Sequence, residues 1–211
     1  MTGFEIRECS NQDCRLRMPL DPSEYSGEYC PRCGDPMRKV LGPFENPKCP
    51  SLEVKLERKI AALIDNIRSA FNVGAIFRTA DGAGLKHLYL CGITPTPLDQ
   101  NGIQKTALGA EETIPWSYHP NAVLLAEKLR GEGFRIIGLE CKPHAVPIHQ
   151  AQVLSTKDQP LLLVVGNERA GIDPGLQDLC DLILALPMVG EKASLNAAVA
   201  FGIAAYWLSF R

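Results

Sequence analysis

Residues 161–176 read LLLVVGNERAGIDPGL. Five aliphatic residues in succession, Leu161 to Val165, are too few for an ordinary helix and show no polar alternation, so they read as a strand buried on both faces. The run stops at Gly166-Asn167-Glu168 and passes Gly171. A helix then starts near Pro174, whose fixed φ suits a first helical turn. A buried strand that feeds a Gly-rich turn and then a helix is the repeating unit of an α/β sheet. At such a carboxyl end, main chain can approach an adenine or a ribose. No Gly-Lys-Ser/Thr follows, so the turn is not a phosphate-cradling P-loop; a purely structural turn is the alternative.

The same alternation extends in both directions. AALID, HLYLCG, FRIIGLE, PLLLVVG and DLILALP read as buried strands, and VGAIFRTADGAG, NAVLLAEKLRGEG, PGLQDLC and SLNAAVAFGIAAYWLSF as helices between or after them. This pattern predicts a mostly parallel sheet with helices on both faces. Ligands of such sheets bind beyond the carboxyl ends of strands, which directs attention to the loops after Leu139, Val165 and Leu186. Before the first strand, Ser51 is placed to cap a helix beginning near Leu52, with Leu52, Leu56, Ile60 and Leu63 on one face.

The first 50 residues differ. They hold few aliphatic residues, many turn formers and two close cysteine pairs, Cys9-x4-Cys14 and Cys30-x2-Cys33. So small an apolar content needs a staple to fold. Zinc takes four thiolates tetrahedrally, and each short spacing lets one turn present two sulfurs to one ion. A redox dithiol at Cys30 and Cys33 is the alternative, but Pro31-Arg32 lies among turn formers and not between a strand and a helix. Arg15, Arg17, Arg32, Arg38 and Lys39 could meet phosphate, although acidic residues are about as numerous there. The division expected is a zinc-ribbon-like module and linker over 1–50 and an α/β domain over 51–211. Cys49, Cys91, Cys141 and Cys180 are scattered singly and read as small buried hydrophobes.

Composition narrows the class. The 211 residues are 45% hydrophobic and 22% charged, with a formal net charge of −2. No stretch approaches the roughly 20 apolar residues of a membrane span, and the polar start MTGFEIRECSNQDC lacks a signal core. The expected location is cytoplasmic, with no membrane partner. A strongly basic chain would have announced nucleic acid; here any RNA contact must rest on local patches.

Two further segments carry chemistry. In DNIRSAFNVGAIFRTADGAG, Asn72-Val73-Gly74 opens a helix and Arg78 lies one turn beyond Gly74 on the same side; a capped helix with a solvated Arg would look the same. In LALPMVGEKASLNAAVAFGIAAYWL, a strand ends at Leu186-Pro187 and Ser194-Leu195-Asn196 begin an apolar helix of small residues. Ser194 suits an N-cap, whereas Asn196, read as just inside the helix, is free to bond a loop or a ligand.

In order and spacing these motifs resemble the SpoU/TrmH branch of the SPOUT RNA methyltransferases, across residues 52 to 211. Asn72, Gly74 and Arg78 match N-x-G-x-x-x-R; Gly166, Glu168 and Gly171 match G-x-E-x-x-G; Pro187, Gly190, Ser194, Leu195 and Asn196 match the third motif, with Ala197 where Val is common. Lys105 and Gly109 in KTALGAEE match a K-x-x-x-G-A element. The resemblance implies a trefoil-knotted α/β fold, an exception to the rule against knots. It implies S-adenosylmethionine held by Leu139, Glu140, Gly166, Asn167, Glu168, Leu186, Pro187, Met188, Ser194, Leu195 and Asn196. It implies a homodimer, with Phe201, Tyr206 and Trp207 of the last helix as candidates for the contact. The reaction implied is methylation of a ribose 2′-hydroxyl in transfer RNA, with ribosomal RNA second, served by Arg78, Asn72, Glu168, Ser194 and Asn196. Arg78 is expected to hold phosphate and stabilise developing oxyanion charge, because a guanidinium does not deprotonate in proteins. Zinc is expected on Cys9, Cys14, Cys30 and Cys33, away from the chemistry. The competing readings are a non-catalytic RNA-binding or assembly protein, a nucleotide-dependent oxidoreductase, which lacks G-x-G-x-x-G, and a zinc hydrolase, which four cysteines would leave without an open position.

Overall fold

The structure is a computed structural model, and it describes residues 3–45, 56, 58–99, 102–152 and 158–210. The chain forms two compact units, Met1–Val54 and Lys55–Arg211. The first contains a three-stranded antiparallel sheet of β1 (Phe4–Cys9), β2 (Arg17–Leu20) and β3 (Met37–Phe44), in the order β2-β1-β3. Its buried hydrophobic cluster is small: Cys9, Cys30 and Met37, with Cys14, Leu16 and Met18 against it.

The second unit is built on seven strands: β4 (Ile60–Asp65), β5 (His87–Cys91), β6 (Trp116–His119), β7 (Arg135–Leu139), β8 (Val146–Pro147), β9 (Leu161–Val165) and β10 (Leu182–Ala185). Their order is β6-β5-β4-β9-β7-β10-β8, and every pairing is parallel. Alternation within the central strands divides the core. Ile60, Ala62 and Ile64 of β4 with Leu161, Leu163 and Val165 of β9 face a cluster completed by α1 (Ala70–Ala83) and α6 (Ala197–Ser209). Ala61, Leu63, Leu162 and Val164 face the opposite cluster, completed by α4 (Ala122–Gly131) and α5 (Pro174–Leu179). Both faces of the sheet are therefore covered, as continuous aliphatic runs require.

The two short edge strands, β6 and β8, were not legible in sequence. WSYH mixes polarity, and Val146–Pro147 is only two residues long. The helix expected from Ser51 begins outside the described residues, and Ile60 and Leu63, assigned to its face, belong to β4. Their apolar spacing fits either period, and parallel pairing with β5 and β9 decides for the strand.

Helix α1 is capped by Ser69, whose hydroxyl accepts from the Asn72 amide at 3.3 Å, and it ends at Gly84 with φ +73°. One turn in, Gly74 lies against the short helix α2 (Gln104–Ala107): an added Cβ would collide with the Ile103 carbonyl and the Thr106 hydroxyl. The glycine lets main chain, not a ligand, come close. Among the described residues no helix is long and apolar enough to cross a membrane.

Candidate functional site

A cavity of about 230 Å³ opens at the carboxyl ends of β7, β9 and β10. All three loops singled out from the strand pattern contribute to it. Leu139 and Glu140 come from the first, Gly166, Asn167 and Glu168 from the second, and Leu186, Met188, Ser194, Leu195 and Asn196 from the third. Pro187 does not line it, and neither do Asn72 and Arg78. Cys141, Ala193, Ala197 and Ala200 line it and were missed. Small apolar residues carry no chemical signal, and Cys141, read as a small buried hydrophobe, is exposed.

The second loop is folded by its own side chains. Asn167 and Gly171 exchange two main-chain hydrogen bonds of 3.0 and 2.9 Å. Gly171 sits at φ +76°, and a Cβ on Gly166 would collide with the Gly171 carbonyl. Asn167 Oδ1 accepts from the amides of Arg169 (2.9 Å) and Ala170 (3.0 Å), while its Nδ2 donates to the Asn66 carbonyl at 2.6 Å. Glu140 is likewise committed, accepting from the Ile172 amide at 2.8 Å. Asn66 was not anticipated: it adopts φ 56° and its Oδ1 accepts from Ile93 N at 3.1 Å. An Asn that directly follows a buried strand, where the left-handed region is tolerated, was the available signal.

Asn72, Glu168 and Asn196, from three different motifs, form one hydrogen-bonded chain. Asn196 Nδ2 donates to Asn72 Oδ1 at 3.0 Å, and Asn72 Nδ2 donates to Glu168 Oε1 at 3.0 Å. Glu168 also accepts from the Arg68 and Ser69 amides at 3.1 and 3.4 Å. Partial burial works to raise the Glu168 carboxyl, but these amides and the Asn72 side chain outweigh it and hold it below its ordinary value. Glu168 is thus a fixed anion orienting the start of α1, and a poor proton acceptor near neutral pH. Asn196 corrects an expectation as well. It is itself the N-cap of α6, its Oδ1 accepting from Ala198 and Val199, whereas Ser194 makes no hydrogen bond among the described residues. The Arg78 side chain is exposed, with no ion pair or hydrogen bond among the described residues.

The chain matches the SpoU rRNA Methylase family over residues 59–206. The chain belongs to that family. An uncharacterised tRNA/rRNA methyltransferase of Synechocystis is 34% identical over 70% of this chain and 37% of its own. A 23S rRNA (guanosine-2'-O-)-methyltransferase of Pseudomonas putida is 31% identical over 72% of this chain and 60% of its own. The AdoMet-bound rRNA methyltransferase of Sinorhizobium meliloti superposes with a TM-score of 0.64 at 27% identity, over 72% of this chain and 56% of that one. The chain thus spans between about a third and three fifths of the length of these curated relatives.

The cavity of this SpoU-family chain fits an adenosyl cofactor in its donor set. Leu139, Leu186, Met188 and Ala200 offer apolar surface to a base. Residues 187–195 make no hydrogen bond among the described residues, so the main-chain groups of Met188, Ala193, Ser194 and Leu195, which line the cavity, are open to a ligand.

The cysteine cluster of the first unit lies at its turns. Cys9 Sγ is 3.4 Å from Cys33 Sγ, Cys14 Sγ is 3.7 Å from Cys30 Sγ, and all four sulfurs lie within 4.8 Å of one another. A tetrahedral zinc with bonds of about 2.3 Å separates its sulfurs by about 3.8 Å, so the residues fit the ion. Burial works to raise the Cys30 thiol, but the backbone amides of Cys33 and Arg32 and two neighbouring thiols bring it down to about 7. That is the arrangement of a metal knuckle, with amides directed at sulfur. Elemental analysis of purified protein is expected to find about one zinc per chain and none in Cys30→Ser; a metal-free wild type of unchanged fold would refute the site.

Glu168→Gln is expected to destabilise the second unit by roughly 1 kcal/mol near neutral pH, a small figure because solvent screens an exposed carboxylate. The Glu168 contribution is complete above the ordinary carboxylate range and is lost as pH falls through its lowered folded value. In urea titrations the wild type and Gln variant should therefore converge on acidification, and a pH-independent difference would contradict this role.

Proposed function

We propose that this chain methylates a ribose 2′-hydroxyl of RNA in the cytoplasm, using S-adenosylmethionine and acting as a homodimer, on transfer RNA in preference to ribosomal RNA. Residues 51–211 are the proposed methyltransferase domain, with the trefoil-knotted threading of its branch, and residues 1–50 the zinc module and linker. One observation carries the reading: the Asn196–Asn72–Glu168 chain ties all three motifs together at the rim of a cavity with open main-chain groups. A degenerate knot domain kept only for RNA binding or assembly would have no need of that linkage.

The residues proposed to hold the cofactor are Leu139, Gly166, Leu186, Met188 and Ser194 to Asn196, with Glu140 and Asn167 shaping the loop between them and Pro187 shaping the third loop without lining the cavity. Bound there, S-adenosylmethionine supplies an electrophilic methyl group. Arg78, exposed and unpaired, is the candidate for holding RNA phosphate and stabilising negative charge on the ribose oxygen. The proton leaves to that phosphate or to solvent, since neither a guanidinium nor a carboxylate of lowered pKa is a good acceptor. Asn72 positions the start of α1, on which Arg78 stands, and Ser194 is free to contact ribose or cofactor.

The homodimer rests on an apolar stripe along α6. Val199, Ile203, Tyr206 and Phe210 recur at helical spacing and are each between 44% and 52% exposed. Of the three residues first proposed for this contact only Tyr206 belongs to the stripe; Phe201 is fully buried and Trp207 packs on the core.

Transfer of labelled methyl from S-adenosylmethionine to unmodified total RNA tests the reaction. Labelled 2′-O-methylnucleoside is expected in the transfer RNA fraction, falling at least about a hundredfold in Arg78→Ala, the scale of losing one charge-stabilising group; label on a base would overturn the ribose assignment. For the homodimer, Ile203→Glu should sediment as a monomer beside a dimeric wild type, and a monomeric wild type would refute the interface.

A further inference from the structure

Charge is divided unevenly between the two units. Residues 1–54 hold 7 Lys and Arg against 9 Asp and Glu, and residues 55–211 hold 15 of each. Within the first unit most cations are already paired. Glu5 binds Lys39 at 2.5 Å and Arg7 at 3.3 Å, and Glu8 binds Arg38 at 2.9 Å and Arg17 at 3.4 Å. Arg15 donates to Gln12 at 2.9 Å. Of the five module cations that sequence offered for phosphate, only Arg32 keeps its side chain free among the described residues.

The second unit shows the opposite arrangement beside the linked motifs. Arg68, Lys105 and Arg169 are exposed, and their side chains make no ion pair or hydrogen bond among the described residues. All three flank the Asn72–Glu168 contact. The Arg68 amide donates to Glu168, Arg169 follows Glu168 in the chain, and Lys105 precedes Thr106, whose hydroxyl donates to the Phe71 carbonyl at 2.9 Å. Phe71 itself stands on the first turn of α1, next to Asn72, with 55% of its surface exposed. Its main chain is held by the Thr106 hydroxyl and lies within the turn that Ser69 caps, so the ring is offered to solvent from a fixed base.

We propose that Phe71 stacks on an unpaired base of the bound RNA, with Arg68, Lys105 and Arg169 taking the adjoining phosphates. Aromatic faces accept any unstacked base, and flanking cations follow the backbone. A base inside a duplex is already stacked and cannot reach the ring, so the patch selects single-stranded segments. The proposal rests on the RNA reading above and assigns the electrostatic grip to the α/β unit, where global charge gave no indication of it.

The test uses the full-length, zinc-loaded chain, a fluorescein-labelled 12-nucleotide oligouridylate, and a 12-base-pair RNA duplex as comparison, read by anisotropy over a range of KCl. The wild type should prefer the single strand. Phe71→Ala should weaken that binding about tenfold, Phe71→Trp should restore it, and S-adenosylmethionine affinity should stay constant. Arg68→Gln and Arg169→Gln should each lower the slope of log affinity against log salt by about 0.7. Equal affinity for strand and duplex would overturn the proposal, as would wild-type binding by Phe71→Ala. So would a change of oligomeric state in Phe71→Ala, which would place the ring between two copies of the chain. If Phe71-dependent binding is found without methyl transfer, the enzymatic reading falls and this one stands; if methyl transfer proceeds with an unaltered KM for RNA in Phe71→Ala, the reverse holds.

Discussion

The side-chain amide of Asn72 donates to Glu168 and accepts from Asn196, and those two bonds join three distant chain segments at the mouth of the cavity. Asn196 begins the last helix, Glu168 projects from the turn after the central strand β9, and Asn72 lies in the first turn of α1. Each end of the chain is anchored again. Asn196 caps α6 through its oxygen, and Glu168 accepts the amides that precede α1. These bonds lie at the exposed rim of the cavity, so a displaced member would exchange its partner for water at modest cost, and their part is to align segments that the core has already brought together.

The α/β core was legible because the physics is local. Leu161 to Val165 can only be a strand buried on both sides, and such a strand needs helices on each face. β4 was misread at its start because Ile60 and Leu63 fit a helical face as well as a strand, and only pairing with β5 and β9 separates the two. The edge strands β6 and β8 were invisible because they have too few residues to establish a period. In the candidate site, Gly166, Glu168 and Asn196 could be named in advance, since glycine and polar residues at strand ends stand out. Ala193, Ala197 and Ala200 could not be, because a cavity wall of alanines has the composition of any helix interface. Asn196 was named for the wrong position: only the structure shows that α6 begins at Ala197 and that one amide both caps the helix and reaches Asn72.

The first unit shows how little a list of charges says about an interface. Its cations appear free in sequence because their partners are 2 to 34 residues away, across β1, β2 and β3. In the sheet, Glu5 and Glu8 on the central strand each meet two of them. Three of the four pairs contribute little stability individually, because Arg17, Arg38 and Lys39 reach their partners from solvent. The effect of all four is to neutralise both faces of the sheet, Glu5 with Arg7 and Lys39 on one and Glu8 with Arg17 and Arg38 on the other, leaving the four-sulfur cluster as the module's main structural determinant.

The loop of residues 187–195, which forms no hydrogen bonds among the described residues, runs directly into Asn196. Any molecule that immobilises this loop also removes freedom from the Asn196 amide, and through Asn72 from the start of α1. Thermodynamic linkage makes such an effect mutual: whatever occupies the cavity and whatever rests on α1 must alter each other's affinity by the same factor. The coupling then runs through one asparagine side chain, with neither ligand needing to touch the other, and it is the same whichever binds first.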